Sequence, residues 1–168
     1  MSTHAMLRVS LMCSLLALYP AALVAADAEK APEILKVGST FPKFEAKDQH
    51  DKPYAFQKGT RFVLISFDMS TGKKANKKLE EKGAEFLGQK KAVFISNIHG
   101  MPGIGRVFAL PKMRRYPHRI ILADAEHLLD PFPTEKDRVT LLTLDPEAKI
   151  TQIAYWDPEK QELSDVLK

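Results

Sequence analysis

Two short apolar runs separated by an amphipathic segment most strongly constrain the fold of this chain. Residues 61–67 (RFVLISF) and 92–98 (AVFISNI) are continuous and rich in β-branched and aromatic residues, as expected of strands covered on both faces. Between them, residues 73–87 repeat apolar side chains at helical spacing, with lysine and glutamate elsewhere. This alternation predicts an α/β fold around a central sheet.

The remaining elements follow the same alternation along the chain. A turn over residues 48–53 predicts an early hairpin, and a short helix is expected from Pro102 until Pro111 stops it. A third strand, a late hairpin and a closing helix are predicted at residues 118–122, 139–144 with 150–156, and 158–167. The expected architecture is a three-layer α/β sandwich with a mixed central sheet and helices on both faces.

The N-terminal stretch is typical of an export signal. Arg8 precedes an apolar run that ends in small residues at Ala26, and the stretch contains no acidic residue. A retained membrane anchor is the alternative, although Tyr19 and Pro20 interrupt the run. We expect a signal peptide, a polar lead-in and one domain at residues 1–26, 27–36 and 37–168. In a Gram-negative cell the product would be periplasmic, with no membrane span after cleavage.

The single cysteine restricts the chemistry of the exported chain. Cys13 is the only cysteine among 168 residues, and it lies inside the predicted signal. After cleavage the protein would have no thiol, no disulfide and no thiolate metal ligand. The formal net charge of +4 is too small to predict a nucleic-acid partner.

Several segments together resemble a known superfamily. Residues 37–44 (VGSTFPKF), 70–76 (STGKKAN) and 144–150 (LDPEAKI) occur in the order and spacing of the peroxiredoxin and TlpA branch of the thioredoxin fold. Within that branch the chain is most similar to small exported proteins of the YtfJ type. The resemblance implies a thioredoxin-like domain and covers nearly all of residues 37–168.

The chain departs from this resemblance where the superfamily carries its chemistry. The paired cysteines of redox-active members fall on Gly72 and Ala75, and neither residue can form a thiolate. The proline that precedes the late hairpin strand in thioredoxins is absent near Arg138 and Val139. Thiol oxidoreductase or peroxidase activity is therefore not expected, and no catalytic residue is assigned.

A lysine-rich segment at the predicted start of the first helix suggests a binding site. Ser70 or Thr71 is a candidate N-cap, and Lys73 and Lys74, followed by two further lysines, would crowd a helix end that disfavours cations. Free N–H groups and ammonium groups there would suit an anion or an acidic partner. The alternative is a solvated face on which Glu81 offsets Lys77. The candidate binding residues are Ser70, Thr71, Gly72, Lys73, Lys74, Arg115, Tyr116 and Arg138.

A second basic cluster surrounds Tyr116. It could dock an acidic partner, with Tyr116 stacking or anchoring, or it could simply be a loop whose charges maintain solubility. Its basic residues are Lys112, Arg114, Arg115, His118 and Arg119.

Other cofactor patterns are weak. The glycines of residues 100–105 (GMPGIG) lack dinucleotide-binding spacing, and the histidines do not form helical ligand pairs, so no metal site is predicted. No cofactor is expected, although a bound flavin stays open. Three functions follow: a non-catalytic binding protein for a small anion or an acidic envelope protein, an enzyme using a non-thiol cofactor, and an assembly subunit.

Overall fold

The fold, which a computed structural model describes for residues 32–168, begins with the predicted early hairpin. β1 (Glu45–Asp48) and β2 (Pro53–Ala55) pair antiparallel. In the turn between them, Asp48 Oδ1 accepts the N–H groups of His50 and Lys52 at 2.9 and 3.0 Å. The residues at this turn therefore close a hairpin, as the sequence predicts.

The middle of the chain alternates strands and helices. The elements are β3 (Phe62–Ser66), α1 (Met69–Lys82), α2 (Phe86–Gln89), β4 (Ala92–Asn97), α3 (Gly103–Met113) and β5 (Ile121–Ala123). β3, β4 and β5 are parallel neighbours. Because parallel crossovers are right-handed and both run in the same direction across the sheet, α1 and α3 lie side by side on one face.

The late hairpin completes the sheet. β6 (Val139–Leu144) and β7 (Ile150–Trp156) pair antiparallel, and β6 also pairs antiparallel with β3. A final turn of helix, α4 (Leu163–Val166), follows. The sheet has seven strands in the order β2-β1-β5-β4-β3-β6-β7, so β4 and β3 are central.

The two faces of the sheet are covered by different kinds of structure. One core contains helix residues such as Ala75, Leu79 and Leu163, whereas the other is closed by side chains outside the helices, including Phe41 and Phe132. The predicted α/β class and mixed central sheet are confirmed. The layering differs from the expectation, because the described helices contribute buried side chains to one face and irregular segments cover the other.

Several element boundaries differ from the predictions. α1 begins four residues earlier than expected and ends at Lys82, where Gly83 adopts φ +87° and stops it. α3 continues through Pro111. The missing proline N–H leaves only the carbonyl of Val107 without its helical donor, and that residue is exposed to water. The third strand is shifted to β5, and the closing helix shortens to the single turn of α4.

Two sequence expectations concern the N-terminal region. The predicted signal at residues 1–26 and most of the lead-in lie outside the described residues. Leu35, at the end of that lead-in, donates its N–H to the Pro131 carbonyl at 2.7 Å. Within residues 32–168, no helix combines the length and apolar character needed to cross a membrane.

Candidate functional site

The start of α1 is capped by an acidic residue. Asp68 is the N-cap, and its carboxylate accepts the N–H of Thr71 at 2.8 Å. The expectation that Ser70 or Thr71 would be the N-cap is therefore wrong, because Asp68 is the more strongly preferred type and lies directly before the helix. Lys73 consequently lies beyond the first turn, where the helix dipole has weakened. The predicted conflict between the lysines and the dipole is largely removed.

One row of lysines on α1 is neutralised by the C-terminal segment. Lys74 Nζ lies 2.6 Å from Glu159 Oε2, and Lys78 and Lys82 lie 3.4 and 3.2 Å from the carboxylate of Glu162. The hydrogen bond that Lys74 donates to the Glu159 carboxylate raises the pKa of Lys74 above its usual value. We call Lys74, Lys78 and Lys82 the paired row.

A second row on the same helix has no such partner. Lys73 and Lys77 form no ion pair with any residue of the described chain, and the predicted offset of Lys77 by Glu81 is wrong. Glu81 instead lies 3.6 Å from Lys78, a member of the paired row. Lys73 and Lys77, the open row, face the side of α1 next to α3.

The residues of the second basic cluster fall into two groups with different contacts. Arg114 pairs with Asp51 at 2.8 Å and Arg119 pairs with Asp48 at 2.9 Å, so these two arginines tie the end of α3 and the following loop to the early hairpin. Burial alone would raise the pKa of Asp48, but hydrogen bonds from His50 N–H, Lys52 N–H and Arg119 outweigh it and lower the pKa. These contacts are structural.

The other part of that cluster joins the open row. Lys112 and Arg115 are exposed and have no ion-pair partner among residues 32–168. They line a groove of about 930 Å³ together with Lys73 and Lys77. We call it the α1–α3 groove; its walls are Ser70, Lys73, Lys74, Lys77, Glu80, Val107, Phe108, Pro111, Lys112, Arg115 and Tyr116.

Apolar side chains are exposed beside these cations. Val107 and Phe108 on α3 are 67% and 73% exposed and line the groove, and Ile104 lies one turn earlier on the same helix. An adjoining recess of about 360 Å³ shares Lys73, Phe108, Lys112 and Tyr116 with the groove. Because Met69, Met101 and Met113 also line it, we call it the methionine recess.

A buried hydrogen-bond network connects α1 to the loop that follows α3. Asn76 on α1 donates its amide to the Gly72 carbonyl at 2.9 Å, which leaves Asn76 Oδ1 to accept from His118 Nε2, also at 2.9 Å. His118 Nδ1 is the buried side-chain polar atom without a hydrogen-bond partner in the described chain. Burial lowers the pKa of His118 to about 4, so the ring is neutral at ordinary pH.

The structure brings together five of the eight residues predicted for the site. Ser70, Lys73, Lys74, Arg115 and Tyr116 all line the groove, although Lys74 is held by Glu159.

The other three predicted residues lie elsewhere. Gly72 lies in the methionine recess, Thr71 is buried, and Arg138 pairs with Glu135 at 3.0 Å away from the groove. The sequence reasoning did not identify the three methionines or the exposed face of α3. Apolar spacing alone cannot tell which side of a helix is covered.

The two positions at which redox-active members would carry cysteines are occupied by small buried residues. Gly72 and Ala75 are both buried in α1. A Cβ atom at Gly72 would lie 3.1 Å from Ser66 Oγ and 3.4 Å from Ser96 Oγ, so a side chain there would point into the sheet. The absence of cysteine from residues 32–168 removes thiol chemistry from this part of the chain.

Metal binding is not supported by the described residues. Within residues 32–168, no group of three or more histidine, cysteine, aspartate or glutamate side chains could hold an ion. The groove instead offers ammonium and guanidinium groups next to apolar carbon, a combination that can bind carboxylates or phosphates and a neighbouring apolar group.

Comparison with known proteins identifies the fold. A peroxiredoxin-like protein from Aquifex aeolicus has 14% identity and a TM-score of 0.54, with 82% of this chain and 86% of that chain covered. The thio-disulfide isomerase from Thermus thermophilus has 18% identity and a TM-score of 0.51, with coverage of 79% and 95%. Peroxidoxin BcpB from Mycobacterium tuberculosis has 13% identity and a TM-score of 0.52, with coverage of 79% and 94%.

These similarities show that the chain has the thioredoxin fold, in agreement with the resemblance to the peroxiredoxin and TlpA branch. At such low identity they show the fold alone. No model of a known protein family matches the chain, and no curated protein matches it.

Proposed function

We propose that this protein is an exported thioredoxin-fold binding protein that recognises an anionic ligand or an acidic protein partner in the α1–α3 groove. One observation carries the proposal. Four cationic side chains, two on α1 and two on or just after α3, line one groove and have no acidic ion-pair partner in residues 32–168. A ligand with several negative charges would complement them.

The chemistry available to the domain favours recognition over turnover. The structural neighbours include one protein named as a thio-disulfide isomerase and one named as a peroxidoxin. This chain has glycine and alanine at the expected cysteine positions. We therefore expect purified protein to show no insulin reduction and no peroxide consumption, and a flavin absorbance band would favour the alternative of an enzyme with a non-thiol cofactor.

Export rests on the N-terminal pattern and is part of the proposal. The apolar run and the small residues ending at Ala26 support cleavage into the periplasm, in keeping with the YtfJ-type resemblance. Intact-mass measurement of protein recovered from a periplasmic extract should give a chain that begins at Asp27. A mass that includes Met1 to Ala26 would contradict this part of the proposal.

A thermal-shift screen tests the binding function. Phosphate, sulfate and succinate are titrated against the wild type, the Lys73→Glu/Lys77→Glu variant and a control, Lys58→Glu/Lys136→Glu, which changes two exposed lysines outside the groove. A ligand at about ten times its Kd adds about 1.4 kcal/mol, which corresponds to a Tm increase of about 3–5 °C.

We expect at least one of these anions to raise the Tm of the wild type and of the control. The groove variant should lose most of that increase. Equal increases in all three proteins, or no increase in any, would contradict the proposed site.

A further inference from the structure

The methionine recess limits what kind of anionic ligand fits the groove. It is lined mainly by apolar atoms of Met69, Met101, Phe108 and Met113, and Lys73 and Lys112 lie where the recess meets the groove. Its volume of about 360 Å³ is sufficient for one large apolar side chain. Flexible methionine side chains adapt to differently shaped apolar groups.

The cations come from two separate stretches of backbone that border the groove. Lys73 and Lys77 lie one turn apart on α1, and Lys112 and Arg115 lie on and just after α3. The stretch of α1 from Lys73 to Glu80 is about 10 Å long at the helical rise of 1.5 Å per residue. That length matches about three residues of an extended peptide. A small inorganic anion is shorter than this stretch, whereas an extended segment can follow all of it.

We propose that the occupant of the groove is an acidic protein segment carrying one large apolar side chain, which enters the methionine recess while flanking carboxylates pair with Lys73, Lys77, Lys112 and Arg115. This inference rests on the proposed function and specifies its partner. The unpaired cations are the reason for expecting acidic residues in the partner, and the apolar recess is the reason for expecting a large apolar side chain.

Two other occupants fit these features less well. A second copy of the chain in a symmetric contact would place the same cations against each other, which costs free energy. An anionic membrane would first meet protruding side chains, whereas the recess is a concavity between two helices that takes up an inserted group.

Binding of matched peptides to the wild-type protein tests the inference. The probes are fluorescently labelled peptides containing Asp-Glu-Phe-Glu-Asp, the same sequence with Ala in place of Phe, and Lys-Lys-Phe-Lys-Lys, followed by anisotropy. Burial of the phenylalanine should make the first peptide bind at least about tenfold more tightly than the second. The lysine peptide should not bind.

Variants at exposed positions assign the apolar contribution to the recess. Met69→Ala/Phe108→Ala alters two exposed side chains, so the fold should be retained, and Val37→Ala is a matched exposed control. The recess variant should remove most of the tenfold preference for phenylalanine, whereas the control should keep it. Circular dichroism melts verify that all variants are folded.

The possible failures separate this inference from the proposed function. Equal, lysine-dependent binding of the phenylalanine and alanine peptides would overturn the role of the recess and leave the anion site intact. Binding of inorganic anions without binding of either peptide would overturn the inference alone. Loss of all groove-dependent binding would overturn both. If the protein binds phosphatidylglycerol vesicles more tightly than the phenylalanine peptide, the occupant is a membrane surface and the inference is overturned. If it self-associates and Met69→Ala/Phe108→Ala abolishes that association, the occupant is a second copy of the chain and the inference is likewise overturned.

Discussion

The two lysine rows of α1 differ in their surroundings and not in their composition. The paired row contacts Glu159 and Glu162 of the C-terminal segment, whereas the open row faces α3. Exposed ion pairs contribute little stability, so the paired row is best understood as a local neutralisation of charge. The comparison shows that a lysine-rich helix can have one face matched within the fold and another left for a partner.

The third side of α1 is buried and differs from both lysine rows, which are accessible to solvent. Gly72 lies there against Ser66 and Ser96 of the sheet, and Asn76 donates to the Gly72 carbonyl and accepts from His118. This side holds the helix in place, and it includes Gly72 and Ala75, the two positions discussed above for cysteine. Changes on this side should therefore alter stability and accessibility far more than changes in either row.

The largest effect is expected for a cysteine placed on the buried side. In a Cys13→Ser background, Gly72→Cys should react with an alkylating reagent at least about a hundredfold more slowly than Ser70→Cys, because its side chain would point at Ser66 and Ser96 of the sheet and local opening is needed to expose the thiol. Mass spectrometry of timed samples measures both rates. Comparable rates would show that position 72 is accessible, and would contradict the conclusion that this position is closed.

The next effect is a loss of stability on acidification. The pKa of His118 is about 4 in the folded protein, below the ordinary value of about 6.5 for an unfolded histidine. Between these pH values the unfolded chain binds more protons, so stability falls as pH decreases through the window. The full difference corresponds to about 3 kcal/mol in the free energy of unfolding, which urea denaturation measures at each pH.

Exposed histidines provide the control for this pH effect. His50→Asn/His99→Asn should retain the same slope between pH 6.5 and 5, since both rings are exposed. A flat stability profile over that range would contradict a buried, neutral His118. If the slope disappears in the double variant, the pH dependence arises from His50 or His99 and not from His118.

A smaller effect is expected on the far wall of the groove. Lys112→Glu/Arg115→Glu should weaken the binding of a multiply charged anion by about tenfold, because two of the four open cations are reversed. Calorimetry with the anion that stabilises the wild type best gives the Kd. The free energy of unfolding should stay within about 0.5 kcal/mol of wild type. Unchanged affinity would restrict the site to α1.

The smallest effect is expected in the paired row. Lys74→Ala and Glu159→Ala should each reduce the free energy of unfolding by less than about 1 kcal/mol, because the pair is solvent exposed. High salt should abolish the difference from wild type. A loss above about 2 kcal/mol in chemical denaturation would show that the C-terminal segment anchors α1.

The positions of the central strands and of the late hairpin were the most predictable part of this protein. Continuous apolar runs located β3 and β4, and the loop of residues 145–149 located the late hairpin, because burial on both faces and turn chemistry leave clear local signals. The start of α1 was missed although Asp68, a strong N-cap type, stands in the sequence directly before Met69. That error placed the lysines wrongly against the helix dipole.

The site was only partly predictable because it depends on contacts between distant segments. The sequence showed two basic clusters but not that Lys73 and Lys112 line one groove, which follows from the adjacent positions of α1 and α3 on the sheet. It also could not show that Glu159 neutralises Lys74, from 85 residues away. Such tertiary pairings have no local periodicity to detect.

The central claim is that the open row, and not the paired row, binds anionic partners. The most direct measurement is calorimetry of one acidic ligand with two variants of equal charge, Lys73→Glu/Lys77→Glu in the open row and Lys78→Glu/Lys82→Glu, the two members of the paired row that do not line the groove. The account predicts that the first loses at least about tenfold in affinity, and that the second loses only the small uniform part due to the changed net charge. Equal losses in both, or a larger loss in the second, would contradict it.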